Sequence, residues 1–448
     1  MTEKKNYLFD NKALTVLIVP LLLEQLLSVF VGMADSIMIA SVGEAAVSGV
    51  SLVDNVMTLF IFAFSALATG GAVIAGQYLG QQNEKSSCEA ATQMIWSITI
   101  MACGITMILY AGKGFILNVL FGSIDADVYY NAENYLLIVT ASVPFMALYN
   151  AGAAIFRIMG NSNISMKISL LMNAINVIGN ALLVFGFHLG TRGVAIPTLV
   201  SRLVAAVVIT GLLCNQKLKI HILPKWNYQP DVKMIRRIFN IGLPNGLENG
   251  AFQLGRVIML SLVSTFGTSA ITANAIGNAI GLFQWLPGTA INLAITTVIA
   301  RCVGAGDYEQ ARYYTKKLLT VAYLGLWTIN ILIVLIYPFI SQIYNLSVAT
   351  SNLTKQIIYI CAVSCVTVYP LAFCLPCTLR AAGDAKIPMV ISMTTMWLLR
   401  IGCGYILGKY FGLGVIGVWI AMGIDWFFRA ICIAIRYKQG KWTKIQSI

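Results

Sequence analysis

Apolar residues dominate this chain in long runs, and short polar or charged stretches punctuate them. Runs of ~20 residues, the length a helix needs to cross hydrocarbon, recur about twelve times. They centre near positions 26, 61, 102, 143, 177, 204, 250, 285, 327, 366, 398 and 425. The pattern predicts an all-α polytopic membrane protein. Composition agrees: of 448 residues, 58% are hydrophobic and only 10% charged, against about 25% charged in soluble proteins. The first run is too long for a secretory leader and shows no small-residue cleavage site before the next, so no signal peptide is expected.

The net charge of +13 raises nucleic acid as a partner, but its distribution argues otherwise. Numbering the loops alternately, with the N terminus inside, places about 22 basic residues on the inner side, from Lys4 and Lys5 through Lys225 to Lys444. Only Lys113, Arg192, Lys355 and Lys409 fall outside. This is a positive-inside asymmetry. It predicts a multi-pass cell-membrane protein, both termini cytoplasmic, with lipids and no nucleic acid as partners. The cysteines lie mostly within apolar runs, and the one CxxC, Cys374 to Cys377, has no second pair. Neither a disulfide framework nor a metal site is expected. His188 and His221, the only histidines, lie near run ends and form no HExxH-type cluster, so the reading is of a non-enzyme.

The chain repeats itself at an offset of 224 residues, which carries Pro20-Leu-Leu-Leu-Glu24 onto Pro244-Asn-Gly-Leu-Glu248. Gly43 matches Gly267, Gly80 matches Gly304, and Gly193-Val-Ala-Ile matches Gly417-Val-Trp-Ile at the same offset. Arg157-Ile-Met-Gly160-Asn161 resembles Arg380-Ala-Ala-Gly383-Asp384 at a slightly shifted one. Each unit has an even number of spans, about six, so these are parallel repeats, which suits a cavity between halves and alternating access. The expected division is an N-lobe at 1–214, a cytoplasmic linker at 215–237 and a C-lobe at 238–448. Pro224 and Pro230 break the linker, and Asp231 is placed to cap the next helix.

Ionisable residues inside spans are the first candidates for function. Glu24 and Asp35 stand three turns apart on one stripe of the first span, a candidate ion or proton path. Asp54 could line a cavity mouth and attract cations. Glu248, two turns before Arg256, is read either as its partner or as a cavity residue. Asp425 and Arg429, at i and i+4, read as an intrahelical pair. Arg202 and Arg400 also lie in spans and call for interfaces or acidic neighbours. Asn173, Asn176 and Asn180 share one helix face. Small residues such as Ala68-Thr-Gly-Gly-Ala72 favour close helix packing.

Several stretches in fixed order carry a family resemblance. They are Pro20…Glu24-Gln25…Asp35-Ser36…Gly43, Gly76-Gln77-Tyr78-Leu79-Gly80, the two Arg-x-x-Gly turns and Ile241-Gly242-Leu243-Pro244. Over nearly its whole length the chain resembles multidrug and toxic compound extrusion (MATE) transporters of bacteria. The resemblance implies a monomeric secondary antiporter that exports cationic or amphipathic organic compounds in exchange for Na⁺ or H⁺. No cofactor is implied beyond that coupling ion, and no metal beyond a transient Na⁺ at Asp35. It implies that Asp35 serves an N-lobe coupling site and that Asn176 and Asn180, matching the family's Asn-x-x-x-Asp/Asn pattern, join it. Sodium-type members carry carboxylates where this chain has Phe252 and Tyr369. Asp35 and Asp54 align with Met259 and Asn278 in the second repeat, so the coupling charge is expected in the N-lobe. The alternative is a lipid-linked oligosaccharide flippase of the same broad superfamily, which calls for a cavity lined by many basic residues.

Overall fold

The computed structural model describes residues 7–122, 124–222, 229–343 and 346–445; Lys4, Lys5, Pro224 and Lys225 of the sequence reading lie outside them. Every regular element among the described residues is helical. The first are α1 (Asn11–Ala40), α2 (Glu44–Gly80), α3 (Glu84–Ala111), a short α4 (Lys113–Phe115) and α5 (Ala126–Ala141). Then come α6 (Val143–Ile158), α7 (Ser162–Ala181), α8 (Arg192–Leu213), α9 (Val232–Ser264), α10 (Thr268–Gln284) and α11 (Leu286–Gly304). The chain ends with α12 (Tyr308–Ile343), α13 (Val348–Thr367), α14 (Leu375–Ala381), α15 (Lys386–Thr394), α16 (Gly402–Tyr405) and α17 (Gly414–Lys438).

Among the described residues nine helices are long and apolar enough to span a membrane, and two bent pairs, α5 with α6 and α13 with α14, bring the number to eleven. The sequence reading expected about twelve. The difference is α9, whose middle carries Asn245, Glu248, Asn249, Gln253 and Arg256. Outward faces are apolar: on α12, Leu324, Trp327, Ile331, Leu335 and Phe339 form one exposed stripe, the surface a bilayer covers.

The repeat seen in the sequence governs the helix boundaries. At the offset of 224, the end of α1 falls on the end of α9, both ends of α2 on the start of α10 and the end of α11, and the starts of α3 and α7 on those of α12 and α15. A π-helical turn closes each inner repeat at the same register, Leu182–Gly186 and Ile406–Tyr410. Two compact units result: Asn11–Gly246 form one, and Met1–Asp10 with Leu247–Ser447 the other. Their boundary lies within α9, beyond the 215–237 stretch read as linker. Asp231 does cap α9: its Oδ1 accepts from the amides of Lys233 and Met234 at 2.9 and 3.1 Å.

Small residues and prolines set the close contacts of the N-terminal unit. A Cβ on Gly70 would sit 2.6 Å from the Ile238 carbonyl oxygen and 2.7 Å from the Gly242 nitrogen, so α2 and α9 touch backbone to backbone there. Pro20 has no N–H to give the Val16 carbonyl four residues earlier. Ser162 at the start of α7 supplies a donor instead, reaching Val16 O at 3.2 Å and Leu17 O at 2.8 Å. In the C-terminal unit, the segment before α1 is held by side chains. Phe9 N donates to Tyr314 OH at 3.0 Å, and the Arg301 guanidinium lies 4.8 Å from the Phe9 ring centroid.

Candidate functional site

Both carboxylates of α1 face α7, as their shared stripe predicts, but they meet different partners. Glu24 is buried and receives Arg157 Nη2 at 2.7 Å on Oε1 and Ser165 Oγ at 2.9 Å on Oε2. Arg157 ends α6 and is followed by Gly160, whose φ of +84° lets the chain turn into α7. Thus one half of the Arg-x-x-Gly motif neutralises a buried acid while the other reverses the chain. Each oxygen of Glu24 accepts a hydrogen bond, so this carboxylate ties α1 to α6 and α7.

Asp35, ~16 Å further along α1 at 1.5 Å per residue, enters an amide network. Asn180 Nδ2 donates to Asp35 Oδ1 at 2.8 Å and to Asn176 Oδ1 at 3.2 Å. Asn176 Nδ2 donates to Thr198 Oγ1 at 3.0 Å, and Thr198 Oγ1 donates to Val194 O at 2.9 Å. In this orientation the Asn176 amide oxygen faces Asp35, 2.9 Å from Oδ1 and 3.3 Å from Oδ2. Two acceptors at that distance need a proton or cation between them, or an amide turned round. Turned, Asn176 gives its NH₂ to Asp35 and takes a hydrogen bond from Thr198. Asn176 and Asn180 are buried, and among the described residues the Asn180 amide oxygen has no partner, nor does the buried Nδ2 of Asn173, one turn before Asn176. The three asparagines predicted to share a face therefore do, and two of them reach Asp35.

Asp54 on α2 accepts from Tyr135 OH at 3.0 Å. Arg202 of α8 donates to Ser142 Oγ at 2.7 Å and lies within electrostatic range of Asp54, Asp35 and Tyr135. Sequence reasoning left Arg202 between an interface and an acidic neighbour, and it missed Tyr135 and Thr198. Neither is ionised, and each becomes visible only when α5 and α8 are placed.

The same scaffold recurs in the C-terminal unit with different chemistry. Glu248 pairs with Arg380 and not with Arg256, the partner that one of its two sequence readings offered; among the described residues Arg256 reaches only Gln253, at 3.4 Å. The sequence put Arg256 on the right helix, but a residue eight positions along α9 lies two turns away, whereas α14 brings Arg380 alongside. This pair repeats Glu24 with Arg157, and Gly383, with φ +93°, repeats Gly160. Asp425 and Arg429 do pair within α17, at 3.0 Å and fully buried. Opposite Asp35 and Asn180 in the repeat stand Met259 and Gly404, and a Cβ on Gly404 would meet the Met259 methyl at 2.5 Å. Phe252 and Tyr369, which occupy the expected carboxylate positions, belong to an aromatic group with Phe373 and Trp426. Among the described residues no three His, Cys, Asp or Glu side chains gather as a metal site.

Known proteins extend this picture. The chain is 26% identical over 431 residues to the uncharacterized transporter YisQ of Bacillus subtilis, covering 95% of this chain and 93% of that protein. It is 25% identical over 460 residues to the probable multidrug resistance protein NorM of Thermotoga maritima, covering 98% and 96%. Its fold superposes with a TM-score of 0.90 on an outward-facing multidrug resistance MATE family transporter of the MOP superfamily, at 18% identity and 97% coverage of both chains. The MatE family model matches residues 20–182 and again residues 244–406, in the register that relates the helices of the two repeats. A multi-pass membrane protein whose two halves each match that model belongs to the MatE family of multidrug and toxic compound extrusion transporters.

Proposed function

We propose that the protein exports organic cations across the cell membrane in exchange for protons, with Asp35 as the group that takes the coupling ion. The supporting observation is the Asp35 carboxylate held by Asn180 Nδ2 at 2.8 Å beside Asn176, whose amide stands 2.9 Å from Oδ1 and can turn either its oxygen or its nitrogen toward it. A protonated Asp35 donates to that oxygen and leaves every other bond in place: Asn180 to Asp35, Asn176 to Thr198, Thr198 to Val194. An ionised Asp35 attracts the Asn176 NH₂ instead. The amide then turns, and the Thr198 hydroxyl leaves Val194 O to donate to Asn176. One proton on α1 thereby sets hydrogen bonds on α7 and α8, two arrangements of the kind that can bias a conformational equilibrium.

In this reading the anionic form receives the substrate cation and the proton displaces it, so alternating access couples the two flows. Na⁺ would call for the Asp35 carboxylate, Asn176 Oδ1 and Asn180 Oδ1 together, whereas Asn180 presents its NH₂ to Asp35. The basic inner loops set the orientation, with both termini in the cytoplasm, and the name of the Thermotoga relative, a probable multidrug resistance protein, supports the substrate class. The test is efflux of an organic dye such as ethidium from proteoliposomes, with pH and Na⁺ gradients imposed separately. Uphill export driven by the pH gradient and lost in Asp35→Asn is expected. Undiminished export by Asp35→Asn refutes the site, and export driven by Na⁺ alone refutes the ion.

A further inference from the structure

The C-terminal unit holds more guanidinium groups along its helices than carboxylates to pair with them. Its carboxylates between Leu247 and Lys438 are Glu248, Asp307, Glu309, Asp384 and Asp425. Glu248 is taken by Arg380, Asp384 by Arg436 and Asp425 by Arg429. Asp307 and Glu309 lie at the α11–α12 turn. No carboxylate remains for Arg256 or Arg400. Arg400 makes no hydrogen bond or ion pair among the described residues, and its buried Nε has no partner. Arg429 is 0% exposed and uses only Nη2, toward Asp425 and the Ser392 carbonyl. Among the described residues its Nε and Nη1 are buried without partners, as is the indole Nε1 of Trp426 one turn earlier.

These groups converge. The Arg429 guanidinium lies 4.7 Å from the Phe252 centroid and 5.0 Å from that of Phe373, and the Trp426 ring is 5.1 Å from Phe373. Arg256 shares a stripe of α9 with Phe252 and Met259, at i, i+4 and i+7. Met259 packs on Gly404, one turn after Arg400. Arg400 in turn is within electrostatic range of Arg256, Arg429 and Asp425. Arg400 also stands in a π-helical turn, Thr395–Ile401, a distortion frequent at functional sites. Its counterpart in the first repeat is Asn176, beside Asp35. The position that is a neutral asparagine beside Asp35 in the first repeat is thus a cation in the second, where Met259 replaces the aspartate.

Arg429 is buried with two nitrogens unpartnered among the described residues, a costly arrangement; Arg400 is half-buried and Arg256 exposed, and the planar guanidinium fork matches carboxylate and phosphate oxygens. We propose that Arg256, Arg400, Arg429 and the Trp426 indole N–H bind the carboxylate or phosphate group of an amphipathic organic ligand, with Phe252 and Phe373 against its apolar body. This anion site is independent of the cation chemistry at Asp35.

Thermal melting and calorimetric titration of the purified full-length protein in detergent test it, with benzoate, neutral benzamide and short-chain phosphatidate as probes. Benzoate or phosphatidate should bind and raise the melting temperature while benzamide does not, and the tighter of the two anions tells a free organic acid from a lipid headgroup. Arg400→Met loses no native partner, so it should fold, melt above wild type without ligand, and bind the anion about tenfold to a hundredfold more weakly. Arg256→Gln should also weaken binding, and Asp35→Asn should bind as wild type does. The proposal is overturned if neither anion binds wild type below ~10 mM, if benzamide binds as well as benzoate, or if both arginine variants bind like wild type.

Discussion

Glu24→Gln removes one charge from a buried pair and leaves its partner behind. Among the described residues Arg157 Nη2 has Glu24 as its one side-chain acceptor, at 2.7 Å, and Arg157 Nε is buried without a partner, so the guanidinium loses its counter-charge. At a charge separation of ~4 Å and an effective dielectric of ~20, the lost attraction is about 4 kcal/mol, within the ~3–5 kcal/mol observed when one half of a buried pair is deleted. Arg157→Met should destabilise by a similar amount, because Glu24 then keeps only the Ser165 hydroxyl. The double variant removes both charges and should be no less stable than either single one. The assay is a double-mutant cycle by reversible unfolding in mixed dodecylsulfate–maltoside micelles, with an expected coupling of about 4 kcal/mol or more. The same cycle on Glu248 and Arg380 should return a similar value, since the repeat rebuilds the contact. If the single effects add to within ~0.5 kcal/mol, the pairs do not tie their helices and the reasoning fails.

Other substitutions test separate steps. Gly70→Ala must push a methyl against the Ile238 and Gly242 backbone and should destabilise by about 1–3 kcal/mol, whereas Gly104→Ala, with nothing within 4 Å, should be neutral or better by unfolding in the same micelles. Phe9→Ala removes a buried ring from Arg301 and Tyr314 and should lower stability by about 3 kcal/mol, read as earlier melting and faster proteolysis before α1. Thr198→Val deletes the hydroxyl that responds to Asn176; export per proton should fall while dye affinity measured in detergent stays unchanged.

Much of this architecture is readable from residue order, because membrane helices and a duplicated unit leave long-period signals. The 224-residue offset anticipates helix ends to the residue at α1 and α9 and at α7 and α15. It also places the acid-free positions Met259 and Asn278 opposite Asp35 and Asp54. Breaks within spans were less legible. The repeat of continuous α2 is divided at Trp285, where Leu286 and Pro287 restart the helix, and hydropathy alone passes over such a turn. Pairings across helices were hardest. Glu248 had an arginine nearer in sequence than Arg380, and Asp54 finds a neutral tyrosine that carries no charge signal. One correspondence was available and passed unread: the same offset sets Arg400 opposite the neutral Asn176, the gain of positive charge on which the anion site rests.

The central claim is that substrate and proton compete for Asp35 within the Asn176 and Asn180 network. Addition of an organic cation to purified protein in weakly buffered detergent solution, followed with a pH electrode, tests it most directly. Binding to wild type should release a proton, and Asp35→Asn should release none. No release by wild type, or equal release by Asp35→Asn, would contradict the account.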